Sequence, residues 1–201
     1  MINIDELTFL NNILDGKEMK GIELKKDINR IDVINSLVNK KILNDNITIN
    51  ENSANILKAL ERYKKSRRYL IINDFFGTIE KKESMIAIKK EMNNYKIYKV
   101  NRSAFILRLI EDYRMLRKKY ECENKKNQTN KVQTVIDLEN RKKEDEVIHI
   151  QEIKDDKTLN DFVYLGSKDR IYEYNLLSDI KQDISSSEVK TKIKKIIYQE
   201  E

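Results

Sequence analysis

The segment from Arg67 to Gly77 limits the possible folds more than any other part of the chain. A basic helix end, Lys64, Lys65, Arg67 and Arg68, runs straight into the apolar, strand-like Tyr69-Leu70-Ile71-Ile72, and Asn73-Asp74-Phe75-Phe76-Gly77 follows. At this junction the apolar period changes from that of a helix to that of a strand. Before it, the spacing is helical over about sixty residues; after it come further strand-like runs and another helix. A chain patterned in this way is α+β, with a central antiparallel sheet flanked by helical units.

The first helix is expected to be capped by Asp5, to carry Leu7, Leu10 and Leu14 on one face with Phe9 and Ile13 widening the stripe, and to stop at Gly16. Ile31, Ile34, Leu37 and Val38 mark a second helix, and Ile47-Thr48-Ile49 a very short strand. A third helix from about Glu51 places Ile56, Leu57, Leu60 and Tyr63 inward. Helix, helix, short strand and helix have the outline of a winged-helix-like N-terminal packing unit. Arg30, Asn35 and Asn39 could reach base edges, but Asp27 and Asp32 share that helix.

Tyr69–Ile72, Thr78–Glu80, Ser84–Ile88 and Tyr95–Val100 read as an antiparallel meander, with turns at Lys81-Lys82-Glu83 and Asn93-Asn94. A long helix opens at Asn101 or Ser103, with Ile106, Ile110, Tyr113, Leu116 and Tyr120 in register. Residues 122–146, which contain little to bury beyond Val132, Val135, Ile136 and Leu138, read as a linker or solvated loop. Val147–Ile150, Phe162–Leu165 and Ile171–Tyr174 are strand candidates, and Ser185-Ser186-Ser187-Glu188 is a capping box for a last helix bearing Val189, Ile193 and Ile196. The organisation is thus 1–121, a linker at 122–146, and 147–201, which complete a single domain.

Charge is uneven along the 201 residues. The net charge of +6 resolves into −2 over residues 1–57, +11 over 58–126 and −3 over 127–201. A positive middle third attracts nucleic acid, an acidic protein or an anionic surface, or simply solvates the fold. The single cysteine, Cys122, has no partner for an internal disulfide, which fits a reducing compartment. No window approaches a membrane span, and the N-terminus lacks a signal-peptide pattern, so a cytoplasmic location is expected.

Chemistry is sparse. His149 is the only histidine, which leaves histidine triads and multi-histidine metal sites without members. Glu152-Ile153-Lys154 with Asp137 imitates a metal-dependent nuclease, yet such triplets arise by chance in a chain this rich in Glu and Lys. The four glycines form no phosphate-cradling loop. No enzymatic activity, no metal and no cofactor are expected. The aromatic residues Tyr69, Phe75, Phe76, Tyr95, Tyr98, Tyr172 and Tyr174 are the candidate partner-binding set, since rigid amphipathic rings anchor protein partners. Strand aromatics are also common core residues, and about half of the chain's are expected to serve so.

The opening Asp5-Glu6-Leu7-Thr8-Phe9-Leu10, then Ile13-Leu14-Asp15-Gly16 and Gly21, the segment Asn35 to Leu43, and Leu60-Glu61-Arg62-Tyr63-Lys64 leading into Tyr69–Asn73 together resemble the cytoplasmic chaperones of type VII secretion. These are the EspG-like proteins, with EsaE-type members similar in length and style. The resemblance is clearest over residues 1 to about 120. It implies a non-enzymatic, cofactor-free chaperone that binds a secreted substrate, a toxin or WXG-like protein, and delivers it to the membrane-bound secretion ATPase. It also implies transient presence at the inner face of the membrane. A winged-helix transcription regulator and a toxin-neutralising immunity protein are the alternatives, separated respectively by salt-sensitive DNA binding and by inhibition of the toxin.

Overall fold

The structure, a computed structural model, describes residues 1–14, 18–79, 84–120, 122, 126–128 and 145–198. Gly16, the turn Lys81-Lys82-Glu83, Asp137 and most of the expected linker lie outside the described residues. Those described form a mixture of antiparallel strands and six α-helices, in agreement with the expected α+β class. They divide into two compact units, one of Met1–Tyr69 with Asp74–Val100, the other of Leu70–Asn73 with Asn101–Glu201. The helix that follows Val100 therefore groups with the C-terminal strands, and not with the strands before it.

The first unit begins with β1 (Ile2–Asn3) and α1 (Ile4–Ile13). The cap of α1 is Asn3, two residues before the expected Asp5. Asn3 Oδ1 accepts from the Glu6 N–H at 2.9 Å, and Glu6 Oε2 accepts from the Asn3 N–H at 2.8 Å. This reciprocal box satisfies two otherwise orphaned donors. α2 (Arg30–Asn39) presents Val33 and Leu37 to the interior, while Ile31, expected inside, is 72% exposed. The short strand expected at Ile47–Ile49 is reduced to one bridge, Leu43 to Ile49. Ile47 itself has φ 63°, which an extended strand cannot accommodate.

A 3₁₀ turn at Glu51–Ser53 leads into α3 (Ala54–Lys65), whose buried face is Leu57, Leu60, Tyr63 and Lys64. Buried Lys64 donates from Nζ to the carbonyls of Asn11 and Leu14, satisfying acceptors that α1 leaves open at its C-terminal end. A second buried charge sits between α1 and α2. Glu6 accepts from Lys40 Nζ at 2.7 Å on each oxygen and from Ser36 Oγ at 2.6 Å. Burial pushes the Glu6 carboxyl up, but these bonds and the Asn3 N–H outweigh it and hold the group below the ordinary value.

β2 (Arg68–Ile72), β3 (Phe75–Thr78), β4 (Ser84–Glu91) and β5 (Asn94–Asn101) follow. β3 starts three residues before the expected Thr78, directly after the turn residues Asn73-Asp74. Within the first unit the strand order is β1-β5-β4-β3. β3 and β4 are antiparallel with Phe76 opposite Ile88, and β1 and β5 are antiparallel with Ile2 opposite Tyr95. Met85, Ile86, Ala87 and Ile88 are all buried, so β4 is covered on both faces.

In the second unit the expected long helix is two helices, α4 (Arg102–Asp112) and α5 (Arg114–Arg117), broken at Tyr113. The Glu146 carboxylate causes the break to hold: its oxygens accept from the N–H groups of Arg114 at 2.9 Å and Met115 at 2.6 Å, starting a new helix there. The strands are β6 (Lys126–Gln128), β7 (Glu146–Lys154), β8 (Lys157–Gly166), β9 (Ile171–Asn175) and β10 (Ile180–Ile184). Leu70–Ile72 of β2, β7, β8, β9, β10 and β6 lie side by side in that order. The β7–β8 hairpin is the longest pairing, from Glu146 opposite Gly166 to Lys154 opposite Lys157, with a bulge at Glu152/Ile153. α6 (Ser186–Tyr198) begins at the expected capping box: Ser185 N–H donates to Glu188 Oε2 at 2.9 Å, and Glu188 N–H donates to Ser185 Oγ at 3.3 Å. Val189, Ile193, Ile196 and Ile197 form its buried stripe.

Candidate partner-binding groove

α3 is amphipathic in two steps. Leu57, Leu60 and Tyr63 are buried, while the next positions around the helix, Ile56 and Ala59, are only partly covered. Beside them lies a groove of about 590 Å³. Its α3 wall is Asn55, Ile56, Lys58, Ala59, Glu61 and Arg62. The opposite wall is Ile86 of β4 and Ile97, Tyr98 and Lys99 of β5. The short side chain of Ala59 leaves space beside the partly covered Ile97, while Ile86 beneath is buried.

Successive side chains of a strand point to opposite faces. A groove that touches Ile97 and Lys99 as well as Tyr98 therefore reaches around the edge of β5. That edge is open along most of its length. β1 pairs only with Tyr95 and Asn94, and among the described residues no other strand lies on this side of β5. From Lys96 to Val100, Lys96 and Lys99 are exposed and Ile97, Tyr98 and Val100 are partly covered. The rim carries Lys58, Arg62 and Lys99 against one carboxylate, Glu61, which is ion-paired with Lys65.

The seven aromatic candidates separate by burial. In the first unit Tyr69, Phe75, Phe76 and Tyr95 are all below a tenth exposed. Tyr69 packs edge-on to Tyr63 with ring centres 5.3 Å apart, and its hydroxyl donates to the Lys64 carbonyl at 3.2 Å. Phe75 lies under Lys89 Nζ at 5.0 Å. Phe76 and Tyr95 form the floor of another groove, of about 700 Å³, with Met92 at its lip. Burial, followed by the nearby Asp74 charge, raises the Tyr95 hydroxyl above its ordinary value. Tyr98 alone of this group is partly open, and it lines the α3–β5 groove. In the second unit Tyr174 is fully buried with Val163 and Leu165, whereas Tyr172 is partly open at the margin of that cluster. Lys181 Nζ sits 4.8 Å from the Tyr172 ring and 5.1 Å from that of Tyr174.

The groove residues Ala59, Lys58, Arg62 and Lys99 were not singled out by sequence reasoning. Their signal is the partly apolar stripe of Ile56 and Ala59 one step round α3 from Leu57 and Leu60, which periodicity merges into a single inner face. Elsewhere, His149 Nε2 lies 2.7 Å from Asp161 Oδ1, a cross-strand pair of β7 and β8. Glu152, read as a possible metal ligand, is buried and accepts from Asn160 Nδ2. Among the described residues no cluster of three or more histidine, cysteine or acidic side chains is arranged to hold a metal ion. No helix among them is long and apolar enough to cross a membrane.

Comparison with curated proteins gives no match. A family model described as a domain of unknown function, DUF5081, matches residues 1–195, and the chain belongs to that family.

Proposed function

We propose that this protein is a non-enzymatic chaperone and targeting factor of type VII secretion, which holds a secreted client in the cytoplasm and presents it to the membrane-bound secretion ATPase. The observation that carries this reading is the α3–β5 groove: an aliphatic floor, one partly open tyrosine and a cationic rim beside a strand edge that no other strand covers from Lys96 to Val100 among the described residues. Such a surface suits a protein segment, because the apolar floor supplies affinity and the rim steers the encounter. A chaperone must also release its client, and a groove with few anchors gives moderate affinity. The sequence resemblance to EspG-like proteins supplies the pathway. Tyr98 is the main aromatic anchor in this reading, and Tyr172 is the candidate in the second unit.

A second reading is favoured by the exposure of Arg30, Asn35 and Asn39 on α2, the positions a winged-helix-like unit would turn toward bases. The Asn29–Asp32 bond at the start of that helix places a carboxylate beside any phosphate there, which weighs against it.

The test is affinity capture with the tagged full chain from nuclease-treated native cytosol, with mass spectrometry of bound proteins. Recovery of a type VII substrate or the ATPase, reduced for Tyr98→Ala, supports the proposal. Recovery of neither, with DNA retained when nuclease is omitted, replaces it with the regulator.

A further inference from the structure

We propose that the open edge of β5, from Lys96 to Val100, takes an acidic segment of the partner protein as an added β-strand. This rests on the groove being the client site and adds how the client is held and what its sequence must be. β5 is paired with β1 only at Asn94 and Tyr95, so every second residue beyond them turns a backbone N–H and C=O away from the sheet toward an edge on which no other strand lies among the described residues. An extended peptide supplies that partner, and its main-chain bonds give affinity while alternate side chains give specificity. The five residues from Lys96 to Val100 span roughly 16 Å at the usual rise of a strand.

The groove sits where an added strand would place its side chains. On the face toward α3 they would meet the partly covered Ile56, Ala59 and Ile97, which calls for aliphatic residues. Around the rim they would meet Lys58, Arg62 and Lys99, while Lys96 is exposed on the opposite face of β5. Glu61 is ion-paired with Lys65, so Lys58 and Lys99 make the rim cationic. Because Ile97 and Lys99 share the face toward α3, an added strand that carries an aliphatic and an acidic residue two positions apart on that face matches both halves of this surface. A second copy of β5 does not, because pairing two such edges would bring Lys96 and Lys99 of one copy close to those of the other. Edge lysines commonly block unwanted pairing of this sort, and the same charges select an acidic strand.

The probe is a fluorescein-labelled peptide of Val, Ile and Glu in which an aliphatic residue and a Glu stand two positions apart on each strand face, titrated into the full chain by anisotropy. A matching peptide with Lys for Glu is the control. The acidic peptide is expected to bind roughly tenfold or more tightly than the basic one, and Lys99→Glu combined with Lys58→Glu to reverse that order. N-methylation at one alternate set of peptide residues should abolish binding, and at the other set leave it nearly unchanged, because only one set faces the β5 edge. Equal binding of both peptides, equal effects of the two N-methylated sets, or no saturable binding would each overturn the inference. So would sedimentation showing that the peptide-free chain pairs through β5, detected as dimer loss in the doubly charge-reversed variant. If the chain captures its secretion client and that capture survives the charge reversal, strand addition fails while the chaperone reading stands. If no client is captured but the peptides behave as expected, the edge site stands and the chaperone reading fails.

Discussion

Asn73 holds His149 with two hydrogen bonds: its N–H donates to the His149 carbonyl at 3.1 Å, and its Oδ1 accepts from the His149 N–H at 2.8 Å. Its Nδ2 donates to the Val147 carbonyl at 2.9 Å and to the Tyr113 hydroxyl at 2.8 Å. One side chain thus joins the end of β2 to β7 and to the break between α4 and α5. Asn73 also has φ 47°, the left-handed conformation that asparagine tolerates better than most residues. The position demands both a compliant backbone and an amide, and asparagine meets both needs.

Replacing Asn73 should therefore separate the two roles. Asn73→Gly keeps the backbone conformation and loses the amide, leaving the Val147 carbonyl and His149 N–H without those partners, for a cost of about 1–3 kcal/mol. Asn73→Ala adds the steric penalty of a β-carbon in the left-handed region, about 1 kcal/mol more. Urea denaturation should give the order wild type, Gly variant, Ala variant. An Ala variant as stable as the Gly variant would remove the backbone from the account.

The buried Glu6 makes stability depend on acid. Its carboxyl is held below the ordinary value of 4.5 in the folded protein, so its contribution is complete above the unfolded value and is lost as pH falls through the folded one. Glu6→Gln should cost about 1–3 kcal/mol at neutral pH, because Lys40 and Ser36 lose their anionic acceptor. The same variant should lose less stability than the wild type when the pH is lowered below 4.5. Urea midpoints at neutral and acid pH for both proteins measure the difference directly. Parallel curves would show that Glu6 does not carry the acid sensitivity.

Much of this architecture was legible because local chemistry and the final fold agree. The capping box at Ser185 and Glu188 and the buried stripe Val189, Ile193 and Ile196 are local signals, and α6 forms as they dictate. The failures arise where a distant residue decides. Tyr113 has the right spacing for a continuous helix, but Glu146, far away in sequence, captures the next two N–H groups and restarts it. Lys64 reads as part of a basic helix end, yet the carbonyls of Asn11 and Leu14 hold it inside. The same limit applies to the groove. Sequence pattern names the aromatic residues, but it cannot show that β1 pairs with β5 only at Asn94 and Tyr95, which leaves the rest of that edge without another strand among the described residues.

The β7–β8 turn can be improved. Asp155 and Asp156, its two connecting residues, have φ 48° and 64°, the signature of a type I′ turn, in which glycine is favoured at the second position. Asp156→Gly should stabilise the protein by about 0.5 kcal/mol by relieving the left-handed strain. Thermal melting should shift upward. A downward shift would mean that the Asp156 side chain contributes more than its backbone conformation costs.

Tyr98 and Tyr174 offer the sharpest test of the partner surface, because they come from one set of candidates and differ in burial. Tyr174 is fully buried with Val163 and Leu165, so Tyr174→Ala should destabilise its unit by about 3–5 kcal/mol and reduce client capture only by unfolding protein. Tyr98 is partly open on the groove, so Tyr98→Ala should leave the melting temperature within a few degrees of wild type while weakening capture by about 2 kcal/mol, roughly thirtyfold. The two measurements together, melting by circular dichroism and binding of the captured client at a temperature where both variants are folded, distinguish a contact residue from a core residue. If Tyr98→Ala binds as wild type does while remaining folded, the α3–β5 groove is not where the client docks, and the partly open Tyr172 beside Lys181 becomes the surface to probe.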